Sequence, residues 1–132
     1  MEARIEHVNM TVSDPDRSAA LIERLFGWRV RWAGDAANGG RTVHVGTDGQ
    51  YLSLYGRPDR DGAPLAWSKG RPLNHVAFVV DDIDAAERRV VEAGLTPFGH
   101  GDYEPGRRFY VFDPDGIEFE IVSYAPAPEA AS

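Results

Sequence analysis

Asp113-Pro114-Asp115-Gly116-Ile117-Glu118-Phe119-Glu120-Ile121-Val122 couples a turn signal to strict alternation. Proline presets φ, aspartate tolerates left-handed geometry and glycine permits positive φ, so the first four residues predict a tight hairpin turn. In the strand that follows, Ile117, Phe119 and Ile121 take one face, and Glu118, Glu120 and Val122 take the other. Two carboxylates on one strand face read most simply as a solvated surface. A functional reading needs partners from elsewhere in the chain.

Upstream of the turn, Arg108 to Phe112 predicts a strand, Gly99 to Arg107 a loop and Thr96 to Phe98 a short strand. Asp84 to Ala93 predicts a helix capped by Asp81-Asp82 and stopped by Gly94. Leu73-Asn74-His75-Val76-Ala77-Phe78-Val79-Val80 is a further alternating strand. Arg57 to Pro72, with three prolines and few periodic apolar residues, reads as a linker. Before it lies the same series. Ile5 to Val12 predicts a strand with His7, Asn9 and Thr11 on one face. Ser13-Asp14-Pro15 opens a helix whose stripe is Ala19, Leu21, Ile22, Leu25 and Phe26, ending at Gly27. Trp28 to Ala33 predicts a strand with Trp28, Val30 and Trp32 on one side. Arg41 to Val45 and Tyr51 to Tyr55 form a hairpin across Gly46-Thr47-Asp48-Gly49.

The recurrence is an internal repeat that residue registration tests. At an offset of 68, His7 falls on His75, Val12 on Val80, Asp14 on Asp82 and Asp16 on Asp84. One residue fewer within the helix shifts the offset to 67, and Gly27 then meets Gly94, Gly49 meets Gly116 and Ser53 meets Glu120. The expected fold is therefore α+β: two βαβββ units forming a curved, cleft-forming mixed sheet, with helices on the outer face. Residues 1–56 make the first unit, 57–72 the linker, 73–124 the second unit and 125–132 a flexible tail. His7, His75 and Glu120 fall on the faces turned away from the helices.

Composition narrows the function classes. The 132 residues carry a formal charge of −7 and no cysteine. Disulfides, thiolate metal sites and cysteine nucleophiles are excluded, so a metal would need His and carboxylate ligands. The acidic balance argues against phosphate-backbone binding, and no nucleic-acid partner is expected. No apolar run approaches the roughly 20 residues that span a bilayer, and the N-terminus lacks a basic-then-apolar leader; a soluble, cytoplasmic protein with no membrane partner is the expectation.

The paired βαβββ pattern, the strand-borne histidines His7 and His75, and Asp113-Pro114-Asp115-Gly116 followed by Glu120 resemble the vicinal oxygen chelate superfamily. That group includes glyoxalase I, fosfomycin resistance proteins, extradiol dioxygenases, methylmalonyl-CoA epimerase and bleomycin resistance proteins. The resemblance spans residues 5 to about 124 and is more specific for fold than for reaction. It implies one divalent metal ion, Fe(II), Mn, Ni, Co or Zn, held by His7, His75 and Glu120, with open positions for a small molecule carrying adjacent oxygens. It also implies a homodimer. The sequence departs from glyoxalase I and the epimerase at Ser53, where they generally offer a fourth ligand; three ligands are closer to extradiol dioxygenases and fosfomycin transferases, but the basic, glycine-rich equipment those transferases use for a potassium ion and a phosphonate has no convincing counterpart in Gly99 to Arg107. Phe109-Tyr110 matches the family pattern, and in fosfomycin resistance proteins the matching tyrosine contacts substrate, so Tyr110 reads equally as a catalytic hydrogen-bond donor to a bound oxyanion and as a tyrosine packed on its strand face. Ser53, Asn9, His100 and Arg108 are candidates for substrate contact; Arg107 and Arg108 read either as a grip on a substrate carboxylate or, as paired arginines before a strand more often are, as solvated side chains. His44 reads as a surface or core-edge histidine, and His100 equally as a loop residue. Two functions follow: a metal-dependent dioxygenase or glyoxalase-type lyase, or a metal-free binding protein of the bleomycin resistance type that sequesters a cationic drug-like ligand. The charge fits the second; the presence of all three ligand types favours the first.

Overall fold

The structure, a computed structural model, describes residues 2–103 and 106–124; the expected tail lies outside the described residues. The chain forms two compact units, one running to Ala66 and the other starting at Trp67. Among the described residues no helix is long and apolar enough to cross a membrane.

The first unit contains β1 (His7–Thr11), α1 (Pro15–Phe26), β2 (Arg29–Asp35), β3 (Arg41–Thr47) and β4 (Gln50–Gly56). The second contains β5 (Val76–Val79), α2 (Ile83–Glu92), β6 (Phe98–Tyr103), β7 (Gly106–Phe112) and β8 (Glu118–Ser123). Their mixed sheets share one topology, β1-β4-β3-β2 and β5-β8-β7-β6, in which the outer strand beside the third hairpin strand runs parallel to it. An α+β fold of two βαβββ units is thus observed.

Each helix begins and packs for the reasons its sequence predicts. Asp14 Oδ1 accepts from the Arg17 amide at 3.1 Å, and Asp82 Oδ1 from the Ala85 amide at 3.0 Å, satisfying a donor that the first helical turn cannot. Ala19, Ile22 and Leu25 are buried with Val43, Val45, Leu52 and Leu54; Ile83, Ala86 and Val90 are buried with Phe109, Val111, Phe119 and Ile121. Each fully buried large aliphatic or Phe side chain contributes roughly 1.5–3 kcal/mol. A second repeated device ties helix to sheet: Asp16 in the first turn of α1 binds Arg41 of β3 through two bonds, 3.1 and 2.9 Å, and Asp84 of α2 binds Arg107 of β7 at 3.0 Å.

The leading turn forms as its residues dictate. Asp113 Oδ1 accepts the backbone N–H groups of Asp115 and Ile117 at 2.9 and 2.8 Å, and Gly116 takes a φ of +83°.

Three expectations need correction. Gly99 to Arg107 is not a loop: β6 extends through Tyr103 and β7 starts at Gly106. Its glycines and charges hide a strand pattern, and a bulge between Phe98 and Gly101 breaks the alternation further. A second bulge, between Val30 and Trp32, separates residues expected on one side. Val30 pairs with Val45 on the helix side, whereas Trp32 pairs with His44 on the other. Finally, β5 covers only Val76–Val79, so His75 stands immediately before the strand.

Candidate metal centre

In the second unit, the side of the sheet away from α2 gathers His75, Tyr110, Arg108, Glu118 and Glu120. The cross-strand register sets this group: Ala77 and Tyr110 flank Glu120 on either side, and Arg108 lies two residues along β7. Glu120, 7% exposed, has a close polar neighbour at each oxygen. Its Oε1 accepts from Arg108 Nη1 at 3.0 Å and faces the Tyr110 hydroxyl at 3.5 Å, while its Oε2 stands 3.0 Å from His75 Nε2. The His75 ring meets the Tyr110 ring edge-on at 5.9 Å. Glu118, nearly buried, is held by Lys69 Nζ at 2.8 to 3.0 Å and lies 3.8 Å from His75 Nδ1.

The other nitrogen of His75 decides what the pair can do. Asn74 Oδ1 lies 2.8 Å from His75 Nδ1, so in the Nδ1–H tautomer the ring donates a hydrogen bond to the amide oxygen. A neutral ring then turns the Nε2 lone pair toward Glu120 Oε2. Two lone pairs at that separation repel, and a positive charge between them, a proton or a metal ion, resolves the contact. Two ligand atoms each about 2.1 Å from one ion, at roughly a right angle, lie about 3 Å apart. The donor chemistry and spacing therefore fit a divalent ion. Arg108 and Tyr110 occupy one Glu120 oxygen and leave the other for it.

The first unit repeats the arrangement with different chemistry. His7 opens β1, and its Nδ1 hydrogen-bonds Glu6 Oε1 at 2.9 Å, as His75 does with Asn74. The residue before each histidine thus fixes its tautomer and leaves Nε2 available. Asn9 pairs with Ser53 as Ala77 pairs with Glu120, which places Ser53 at the repeat equivalent of Glu120. Ser53 is 3% exposed and accepts a hydrogen bond from Asn9 Nδ2 at 3.0 Å. His44 pairs with Ser53 as Tyr110 pairs with Glu120. Around them the rings stack: His7 on Tyr51 at 4.8 Å, His44 on Tyr51 at 4.6 Å, and Trp32 against His44 at 5.2 Å, with the Arg31 guanidinium 4.4 Å over Tyr51.

Several groups are displaced from their ordinary pKa ranges. Hydrogen bonds from His7 and then Tyr51 hold the Glu6 carboxyl below its usual range. Burial, and then the charges of His7 and Arg31, lowers His44. Burial raises Tyr110, and the Glu120 charge adds to it. Tyr110 is accordingly a phenol, able to donate, at neutral pH.

Within its own unit the structure brings together His75, Glu120, Tyr110 and Arg108, and separately His7, Asn9 and Ser53. His100 joins neither group. It stacks on Phe109 at 5.8 Å and pairs with Glu87 of α2, on the helix side of the sheet. The bulge in β6 turns it there, because it breaks the alternation that would otherwise point residues of this strand predictably. Among the described residues no three His, Asp or Glu side chains gather closely enough to hold a metal. Sequence reasoning missed Glu6, Asn74 and Lys69. The signal for the first two was present: a hydrogen-bond acceptor precedes both repeat-equivalent histidines.

Comparison with known proteins agrees with this reading of the fold. A "Metallothiol transferase FosB" of Lysinibacillus sphaericus is 26% identical over 121 residues, 89% of this chain and 79% of that protein. An "Ethylmalonyl-CoA/methylmalonyl-CoA epimerase" of Cereibacter sphaeroides is 30% identical over 111 residues, 80% of this chain and 82% of that protein. The crystal structure of a glyoxylase/bleomycin resistance protein/dioxygenase domain from Frankia sp. EAN1pec superposes with a TM-score of 0.79 at 23% identity, covering 93% of this chain and 98% of that one. The family model matches residues 4–121, which take in both βαβββ units, both histidines and Glu120, and the chain accordingly belongs to the Glyoxalase/Bleomycin resistance protein/Dioxygenase superfamily.

Proposed function

We propose that the chain is a divalent-metal-dependent enzyme acting on a small molecule with two adjacent oxygens, in the dioxygenase or the lyase/isomerase manner, and that His7, His75 and Glu120 together hold the metal. The observation that carries this reading is the His75–Glu120 pair, whose facing atoms call for a cation. His7 supports it as third ligand through its repeat-equivalent position and its own Nδ1 partner, Glu6. The relative from Lysinibacillus, a metallothiol transferase, agrees in kind.

An ion bound to two imidazoles and one carboxylate supplies Lewis acidity and open positions for a bidentate oxygen ligand. The chain's own residues do the rest. Arg108 fixes the orientation of Glu120 through Nη1. Tyr110 keeps its proton and donates a hydrogen bond to negative charge developing on a substrate oxygen. Ser53 offers no carboxylate where a second general base would stand, so proton transfer between two carbon-bound positions is disfavoured relative to chemistry that needs one donor. We further propose a homodimer as the working species.

Elemental analysis tests the proposal. After tag removal, the protein is reconstituted with Mn, Fe(II), Co, Ni and Zn in turn beside a His7→Ala, Glu120→Ala variant. About one ion per chain, lost in the variant, is the expected result. No metal under any of these conditions overturns the enzyme reading and leaves a sequestering protein. Coexpressing a His7→Ala chain with a Glu120→Ala chain shows whether ligands cross between chains: a dimer whose sites take His7 from one chain and the His75–Glu120 pair from the other regains one intact site.

A further inference from the structure

The guanidinium of Arg108 is only half used. Its Nη1 binds Glu120, but Nε and Nη2 are buried without a hydrogen-bond partner in a side chain 15% exposed. These two nitrogens form the edge whose parallel N–H groups match the two oxygens of a carboxylate or phosphoryl group. Buried charged donors without acceptors are rare, and here the unsatisfied atoms are the whole fork. The Tyr103 ring covers one face of the guanidinium, 5.1 Å from Cζ, and leaves the in-plane edge to an acceptor. Tyr103 is itself 62% exposed at the end of β6. Glu120 cannot fill the edge, because Oε1 is held end-on by Nη1 and Oε2 faces His75.

We propose that the Nε/Nη2 edge of Arg108 is an oxyanion-binding site and that the substrate carries a carboxylate or phosphoryl group beside its two vicinal oxygens. This rests on the metal-centre reading for its place next to the chemistry, though not for the binding itself. Arg108 bridges two tasks: Nη1 orients the metal-side carboxylate and the opposite edge anchors the substrate's charged end.

The test uses the full chain stripped of metal, titrated separately with inorganic phosphate and with acetate at fixed ionic strength, and followed by the Arg108 Nε–H resonance in nitrogen-15 NMR. Saturable movement of that resonance with either anion is expected. Arg108→Lys keeps the charge and loses the fork; it should weaken anion affinity by about 10- to 100-fold, the worth of one or two hydrogen bonds to a charged group. Arg88→Lys, on the exposed side of α2, should change nothing. The preferred anion distinguishes carboxylate from phosphoryl substrates. No saturable binding by wild type, or equal binding by Arg108→Lys, overturns the proposal. Circular dichroism of each variant separates lost binding from lost fold, and Arg108→Gln provides a second variant if the lysine form does not fold. Mn(II) binding in the same samples reports the metal reading alone: anion binding without Mn(II) supports the anchor while overturning the metal centre, and Mn(II) binding with anion affinity insensitive to Arg108 does the reverse.

Discussion

His75 Nε2 stands 3.0 Å from Glu120 Oε2, while the opposite atom of each group is already engaged: His75 Nδ1 by Asn74, and Glu120 Oε1 by Arg108. The facing atoms are the only ones of the pair left for a cation. Replacing Glu120 by Gln removes the charge at nearly constant shape, and metal content is expected to fall from about one ion per chain to background with circular dichroism unchanged. Glu118→Gln is the control, since Lys69 already neutralises Glu118. Equal metal content in the two variants would place the ligand elsewhere.

Asn74→Ala and Glu6→Ala remove the acceptors that fix the histidine tautomers, while leaving every proposed ligand in place. Each is expected to weaken metal affinity by about 10- to 100-fold without changing stoichiometry. Chelator competition followed by Mn(II) electron paramagnetic resonance measures it. Unchanged affinity in both would show that the two hydrogen bonds do not orient the rings.

Ser53→Glu places a carboxylate at the repeat equivalent of Glu120. Ser53 is 3% exposed, so the metal-free variant must bury a charge and lose the Asn9 hydrogen bond. The metal-free form should melt below wild type, and added metal should raise its melting temperature by more than it raises wild type. A smaller metal-induced rise would mean that position 53 does not face the ion.

Asp113→Ala strips the acceptor from two buried backbone donors, those of Asp115 and Ile117. A loss of about 1–3 kcal/mol is expected in urea unfolding. Asp113→Asn, which keeps one acceptor oxygen, should recover part of it. Full stability in the alanine form would show that the turn is held by Pro114 and Gly116 alone.

The two helix straps predict how stability responds to acid. The Arg41 hydrogen bond lowers the pKa of Asp16, and that of Arg107 lowers Asp84, below the ordinary 3.8. A carboxylate whose pKa falls on folding stabilises the native state above its unfolded value, and this contribution disappears as pH drops through the lower, folded value. The stability gap between wild type and an Asp16→Asn, Asp84→Asn double variant should therefore be flat between about pH 5 and 7 and close below pH 3.8. Because both pairs are solvent-accessible, salt should narrow the gap at neutral pH. A gap that widened in acid would reverse the assigned sign.

Local chemistry determined much of this protein before any tertiary contact was known. Alternation assigned Glu118 and Glu120 to one face, Asp14 and Asp82 marked both helix starts, and the offset between His7 and His75 exposed the repeat, because strand periodicity, capping and turn geometry act over a few residues. The pairing of Asn9 with Ser53 and of Ala77 with Glu120 matches that registration. Other features depended on partners distant in sequence. The bulges that moved Trp32 across the sheet and turned His100 toward α2 reflect how edge strands meet their neighbours, which alternation within one strand does not encode. Nor could spacing show that Arg108 spends one nitrogen on Glu120 and leaves its fork unpaired. Side-chain hydrogen bonds are settled by distances of a few ångströms between strands, and only the folded chain sets them.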